Sequence, residues 1–181
     1  MKKKTLLSTI VLAFAILLST NVQAQKFSDL DKSPMDAAAY PTDYKVANKL
    51  IKVVYSRPQL KGRTLAKLAP NGEVWRTGAN EAAEITFYAD MKLNGTAIKA
   101  GTYTMATIPG ETEWTVIINS DLNTWGSYFY KEANDVARIS VPVTMANNSL
   151  EAFSIAFEKG EMGVDMYLGW DKVRVAVPFS N

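Results

Sequence analysis

The sequence predicts an all-β fold: a single antiparallel β-sandwich, Greek-key or jelly-roll-like, of about nine or ten strands. Two observations carry that reading. Beyond Lys49, apolar and polar residues alternate with a period of two almost everywhere. Turn signals interrupt the alternation at intervals of roughly 8–12 residues.

The first element is an address. Lys2, Lys3 and Lys4 form a positive start, and Leu6 to Leu18 is an apolar run broken only by Ser8 and Thr9. Val22-Gln23-Ala24 then offers small residues at a cleavage junction, which completes the pattern of a secretory signal peptide over residues 1–24. The run is short for a spanning helix, which needs about 20 residues. The expected product starts at Gln25, carries no membrane span, and resides in the periplasm or is secreted.

Residues 25–48 are polar, with turn signals at Ser33-Pro34 and Tyr40-Pro41, and read as an N-terminal leader. Within it Asp36 is placed to cap three alanines, so a short helix over 36–40 is expected. Residues 49–181 form the β-domain. Parity places Ile51, Val53, Ile85, Phe87, Val116, Ile118, Ile139, Val141, Phe153, Ile155, Val175 and Val177 inside. Asn94-Gly95 is the dipeptide of a type I′ hairpin, and Pro109-Gly110 marks a second hairpin. Asn147-Asn148-Ser149 and the Gly160 to Gly163 stretch read as further corners. Trp114 to Ile118 is apolar on both parities, as in a strand covered on both faces.

Composition removes several chemistries. There is no cysteine and no histidine, hence no disulfide, thiol nucleophile, Ser-His-Asp triad or imidazole-bound zinc. No Asp-rich calcium loop is present either, so neither a metal nor a cofactor is implied. The whole chain has 20 basic and 18 acidic residues; loss of residues 1–24 removes three lysines and no acid, leaving 17 against 18. A chain so balanced lacks the basic excess of a nucleic-acid binder.

One stretch departs from simple alternation. Arg57, Arg63 and Arg76, three of the five arginines, fall within twenty residues, beside Trp75, Asn80 and Glu81. A guanidinium fork grips a carboxylate or phosphate with paired bonds, and tryptophan offers a stacking face. The stretch therefore reads as a recognition loop, with Trp125 of the aromatic run Trp125 to Tyr130 alongside. A structural reading competes with it. Arg76 is then paired with Glu81 or Glu84 and Arg57 with Glu73, Trp75 plugs the core, and Gly78 serves a positive-φ turn.

Tyr55-Ser56-Arg57-Pro58, Lys61-Gly62-Arg63, Val74-Trp75-Arg76-Thr77-Gly78-Ala79-Asn80-Glu81-Ala82 and Ala100-Gly101-Thr102-Tyr103 occur in that order. Trp114-Thr115-Val116-Ile117, Trp125-Gly126 and Leu168-Gly169-Trp170 follow. From about Ser33 to Phe179 the series resembles domain-of-unknown-function family 2911, exported proteins mainly of Bacteroidetes-type bacteria. The resemblance implies a periplasmic or secreted β-domain and no established activity.

Three functions fit these residues. The first is a non-catalytic binding module for a small anionic or carbohydrate ligand, held by Arg57, Arg63, Trp75, Arg76, Asn80, Glu81 and Trp125. The second is a structural or protein-interaction component of the cell envelope, with the aromatic run as the contact. The third is a carboxylate-based glycosidase or lyase using Glu81, which requires a second carboxyl about 5–10 Å away. Mass spectrometry of the protein from its native host tests the address: a chain beginning at Gln25 is expected, and a membrane-bound chain retaining residues 1–24 contradicts it.

Overall fold

The computed structural model describes residues 25–181, so the expected export signal over 1–24 lies outside the described residues. Residues Asp31–Asn181 form one compact unit. It contains nine strands: β1 (Met35–Tyr40), β2 (Ile51–Ser56), β3 (Ala83–Phe87), β4 (Met91–Leu93), β5 (Thr96–Ile98), β6 (Gly101–Ile108), β7 (Glu113–Asn119), β8 (Asp135–Lys159) and β9 (Gly163–Ser180). Among the described residues the one α-helix, α1 (Leu65–Leu68), is a single turn. Among the described residues no helix is long and apolar enough to cross a membrane.

All strand pairs are antiparallel, in the order β1-β2-β3-β6-β7-β8-β9-β4-β5. β8 joins the two halves of this sheet. Glu113 to Asn119 of β7 pair with its first part, and Val143 onward pairs with β9. Tyr55 of the first half meets Phe153 of the second edge-on, and Phe87 meets Phe179, with centroids 5.6 and 5.5 Å apart. The halves thus enclose one core that includes residues of every strand from β2 to β9.

The parity reading holds: all the residues it placed inside are buried except Ile139, which is partly buried against the core. Ile117 is buried along with Val116 and Ile118, so β7 is covered on both faces. Asn94 and Gly95 take φ of 50° and 77° between β4 and β5, the left-handed pair a type I′ turn requires.

Two expectations are corrected. Residues 36–40 belong to β1, not to a helix. A five-residue helix leaves nearly all its backbone groups unpaired, whereas extended pairing with β2 runs through all six residues from Met35↔Ser56 to Tyr40↔Ile51. Asn147 to Ser149 is likewise no corner between strands but an irregular part of β8. From Met145↔Val173 to Leu150↔Asp171 the ladder spends more residues on β8 than on β9, which makes a bulge and bends the strand. Arg174 braces that bend by donating to the carbonyls of Asp171, Val173 and Asn148.

The center of the core is aromatic. Trp75 stacks on Trp170 at 5.5 Å and meets Trp114 and Phe153 edge-on at 6.0 and 5.0 Å. Trp75→Ala should lower the unfolding free energy by about 3–5 kcal/mol in urea titration; a loss below about 1 kcal/mol contradicts its place in the core.

Candidate functional site

Between β2 and β3 the chain makes a long excursion. On its return Trp75 exchanges two backbone hydrogen bonds with Thr107 of β6, at 2.7 and 2.9 Å. Along the same side of β6, Met105 pairs with Ala83. Trp75 and Ala83 therefore share one lane, and residues 76–82 form a loop extruded from it, closed by the Ala83 N–H on the Arg76 carbonyl at 3.0 Å. Thr77 and Asn80 take the left-handed φ values of 53° and 61°. Asparagine tolerates that region; threonine is held there with its hydroxyl buried 3.2 Å from the Thr107 hydroxyl. Gly78, expected to supply a positive φ, instead allows close approach: a Cβ there would sit 3.1 Å from the Ser56 carbonyl oxygen.

The extruded loop pairs with a second one. The Gly126 N–H donates to the Asn80 carbonyl at 3.0 Å, the Ala82 N–H to the Thr124 carbonyl at 2.9 Å, and Glu81 faces Trp125 across a bridge. Together with the end of β2 they enclose a cleft of about 430 Å³ lined by Met35, Tyr55, Ser56, Glu81, Glu84, Asn123 and Trp125, among others. That volume lies within the usual range for small-molecule sites, about 300–1,000 Å³. Trp125 is 56% exposed. Glu84 accepts the Asn123 N–H at 3.1 Å, while Glu81 is exposed.

Of the residues the sequence singled out, Glu81 and Trp125 meet in this cleft, and Asn80 holds their two loops together. The others lie elsewhere. Trp75 is only 5% exposed and belongs to the core, so its face is already covered by Trp170. Arg57 has its donors on the Phe153 carbonyl, the Ser154 hydroxyl and the Asp36 carboxylate, at 3.0, 2.7 and 2.9 Å. It fastens β1 and β2 to β8, and its acid is Asp36 rather than Glu73. Arg63 donates to the carbonyls of Leu60 and Gln59 and lines a different groove. Arg76 lines a cavity of about 20 Å³ with Val74, Thr104, Asn119 and Tyr130, a volume suited to a single water. Its Nε is buried without an acceptor, and it pairs with neither Glu81 nor Glu84. No arginine lines the Trp125 cleft. Sequence reasoning missed Tyr55, Ser56 and Asn123 as lining, and weighed Glu84 as a partner for arginine and, with Glu73 and Glu81, as one of the acids available to a carboxylate pair. The outward parity of Glu84 on β3 was the available signal.

The aromatic run is held out by polar bonds at its base. Asn119 donates to the Lys131 carbonyl and the Asp135 carboxylate at 3.0 and 2.8 Å, and its own oxygen accepts the Asp121 N–H. The Tyr130 hydroxyl donates to Asp135 at 2.8 Å, and Arg138 reaches both. Above this base Leu122, Trp125, Tyr128 and Phe129 stay exposed.

Loss of hydration, followed by the Asp135 carboxylate, pushes the Tyr130 phenol up to about 12. Burial also raises Tyr55. A raised phenol favors its neutral form in the folded protein. The Tyr130 contribution is therefore complete below the ordinary tyrosine value near 10 and disappears as pH rises through about 12. In an alkaline absorbance titration of the folded protein, a late tyrosine wave near pH 12 is expected and should vanish in Tyr130→Phe. A single wave near 10 contradicts the arrangement.

No curated protein and no solved structure matches the chain. One family does: its sequence profile, described as a protein of unknown function, aligns with residues 33–179, which begin just before β1 and end within β9. By that match, over most of its length, the chain belongs to family DUF2911.

Proposed function

We propose that this protein is an exported, non-catalytic binding module, acting in the periplasm or outside the cell, that holds a sugar-like ligand in the Trp125 cleft. The observation that carries the reading is the exposed Trp125 ring beside Glu81, Glu84, Asn123 and Ser56. Sugar rings present apolar C–H faces to an aromatic platform and hydroxyls to carboxylate and amide acceptors. An anionic ligand suits this cleft poorly, because two carboxylates and no arginine line it. The signal-peptide pattern of residues 1–24 supports the extracytoplasmic setting.

A protein-interaction role is favored by the exposure of Leu122, Tyr128 and Phe129 beside Trp125. A hydrolytic role is favored by the presence of Glu81 and Glu84 on one cleft.

A thermal-shift screen of the chain from Gln25 against neutral mono- and oligosaccharides tests the binding reading. A ligand at 100 times its Kd adds about 2.7 kcal/mol of stability. Trp125→Ala should abolish the shift while leaving the unliganded melting temperature nearly unchanged. A shift that survives Trp125→Ala, or none across the screen, overturns it. Release of reducing sugar that stops in Glu81→Gln would move the assignment to an enzyme.

A further inference from the structure

The Lys61-Gly62-Arg63 stretch plays no part in the Trp125 cleft. It forms a turn of its own. Lys61 and Gly62 take φ of 47° and 74°, and the Arg63 N–H closes on the Leu60 carbonyl at 2.9 Å. This left-handed pair makes a rigid type I′ geometry. The flanking chain is clipped to β8 by the Leu60 N–H on the Glu151 carbonyl and by the Gln59↔Ala152 bridge. Arg63 then folds back, with Nε 3.0 Å from the Leu60 carbonyl and one terminal nitrogen 2.7 Å from that of Gln59. Its guanidinium is thereby ordered while its remaining N–H groups stay available.

Lys32, Ser33, Gln59, Lys61 and Arg63 line one groove of about 330 Å³. Three of its five lining residues are cations, and none is acidic. Neither lysine ammonium nor Arg63 forms an ion pair among the described residues. The nearby carboxylates keep their charge but lie beyond ion-pair distance of the groove cations. One oxygen of Glu151 accepts the Lys61 N–H at 2.7 Å, one of Asp31 accepts the Ser33 N–H at 2.7 Å, and Asp36 is paired with Arg57. A pre-ordered fork flanked by two unpaired ammonium groups, with a serine hydroxyl beside them, is suited to a multiply charged oxyanion. Holding the fork before binding reduces the ordering cost that a free arginine carries.

We infer that this groove is a second binding site, separate from the Trp125 cleft, that takes a phosphate-bearing ligand. The phosphate oxygens sit on the free Arg63 N–H groups, with Lys32 and Lys61 on either side. Two sources share that chemistry: a soluble phosphate or phosphorylated sugar, and the headgroup of an anionic phospholipid.

The test is amide NMR of the chain from Gln25 titrated with inorganic phosphate, against sodium chloride of equal ionic strength. Flotation with phosphatidylglycerol and phosphatidylcholine vesicles runs beside it. Saturable shifts at Lys61, Gly62 and Arg63 are expected with phosphate and not with chloride. Capture by phosphatidylglycerol vesicles alone assigns the lipid source, and no capture assigns the soluble one. The Lys32→Gln/Lys61→Asn double variant keeps the left-handed turn and the Arg63 bonds. It should weaken phosphate binding by on the order of tenfold, as loss of charge-assisted partners does. Arg63→Lys keeps the charge and removes the fork, and should also weaken binding. Equal shifts with chloride, unchanged affinity in the double variant, or shifts centered on Glu81 and Trp125 would overturn the inference. Loss of saccharide binding at the Trp125 cleft has no bearing on these readouts, so each site stands or falls alone.

Discussion

The Trp75 ring lies against Trp170, with centroids 5.5 Å apart and planes 19° from parallel. Trp75 enters the first half of the sheet through its two backbone bonds to Thr107 of β6, while Trp170 lies on β9 in the second half. Their stacking, with Trp114 and Phe153 edge-on around it, is where the two halves meet. Polar bonds support the same junction. The Tyr55 hydroxyl accepts the Ile155 N–H at 2.9 Å, the Trp170 indole N–H donates to the Glu151 carbonyl at 3.2 Å, and Arg57 spans Asp36 and Ser154. Each aromatic pair of this kind adds about 0.5–1.5 kcal/mol beyond area burial. Without them the sheet has no reason to close at this point.

The surface features follow from that closure. Because Trp75 is fixed in the β6 lane, the seven residues before Ala83 must leave the sheet, and they leave toward the 124–126 loop. That is how Glu81 comes to lie beside Trp125. The Arg57 fork, spent on the junction, is absent from the cleft, and the cleft is left with carboxylates. Cationic character collects instead at the Lys61 turn, where the crossover is clipped onto β8. The molecule thus separates an aromatic, acidic cleft from a basic groove.

Much of the fold was legible in the sequence because burial imposes a period of two, and Ile51, Val53, Ile85, Phe87, Val175 and Val177 obey it. The Asn94-Gly95 turn was legible because few residue pairs accept two positive φ values. Strand continuity was not. The bulge near Leu150 interrupts the alternation without ending the strand, so Asn147 to Ser149 read as a corner and β8 as two strands. β1 was missed because three alanines suit helix and edge strand alike, and only its β2 partner decides. Of the candidate site residues, Glu81 and Trp125 do line one cleft, while Arg57 and Trp75 have their partners about a hundred residues away in the core and on β8. Sequence proximity says little about where an arginine finds its acceptors.

The chain contains four tryptophans: Trp75, Trp114 and Trp170 are buried in the junction, and Trp125 alone is exposed at the cleft. Iodide, a charged quencher that does not enter a packed core, measures that division directly. Blue-shifted emission with one quenchable fraction is expected, and complete loss of that fraction in Trp125→Phe with the fold intact. Iodide-quenchable emission persisting in Trp125→Phe would show a second exposed tryptophan and contradict the aromatic junction.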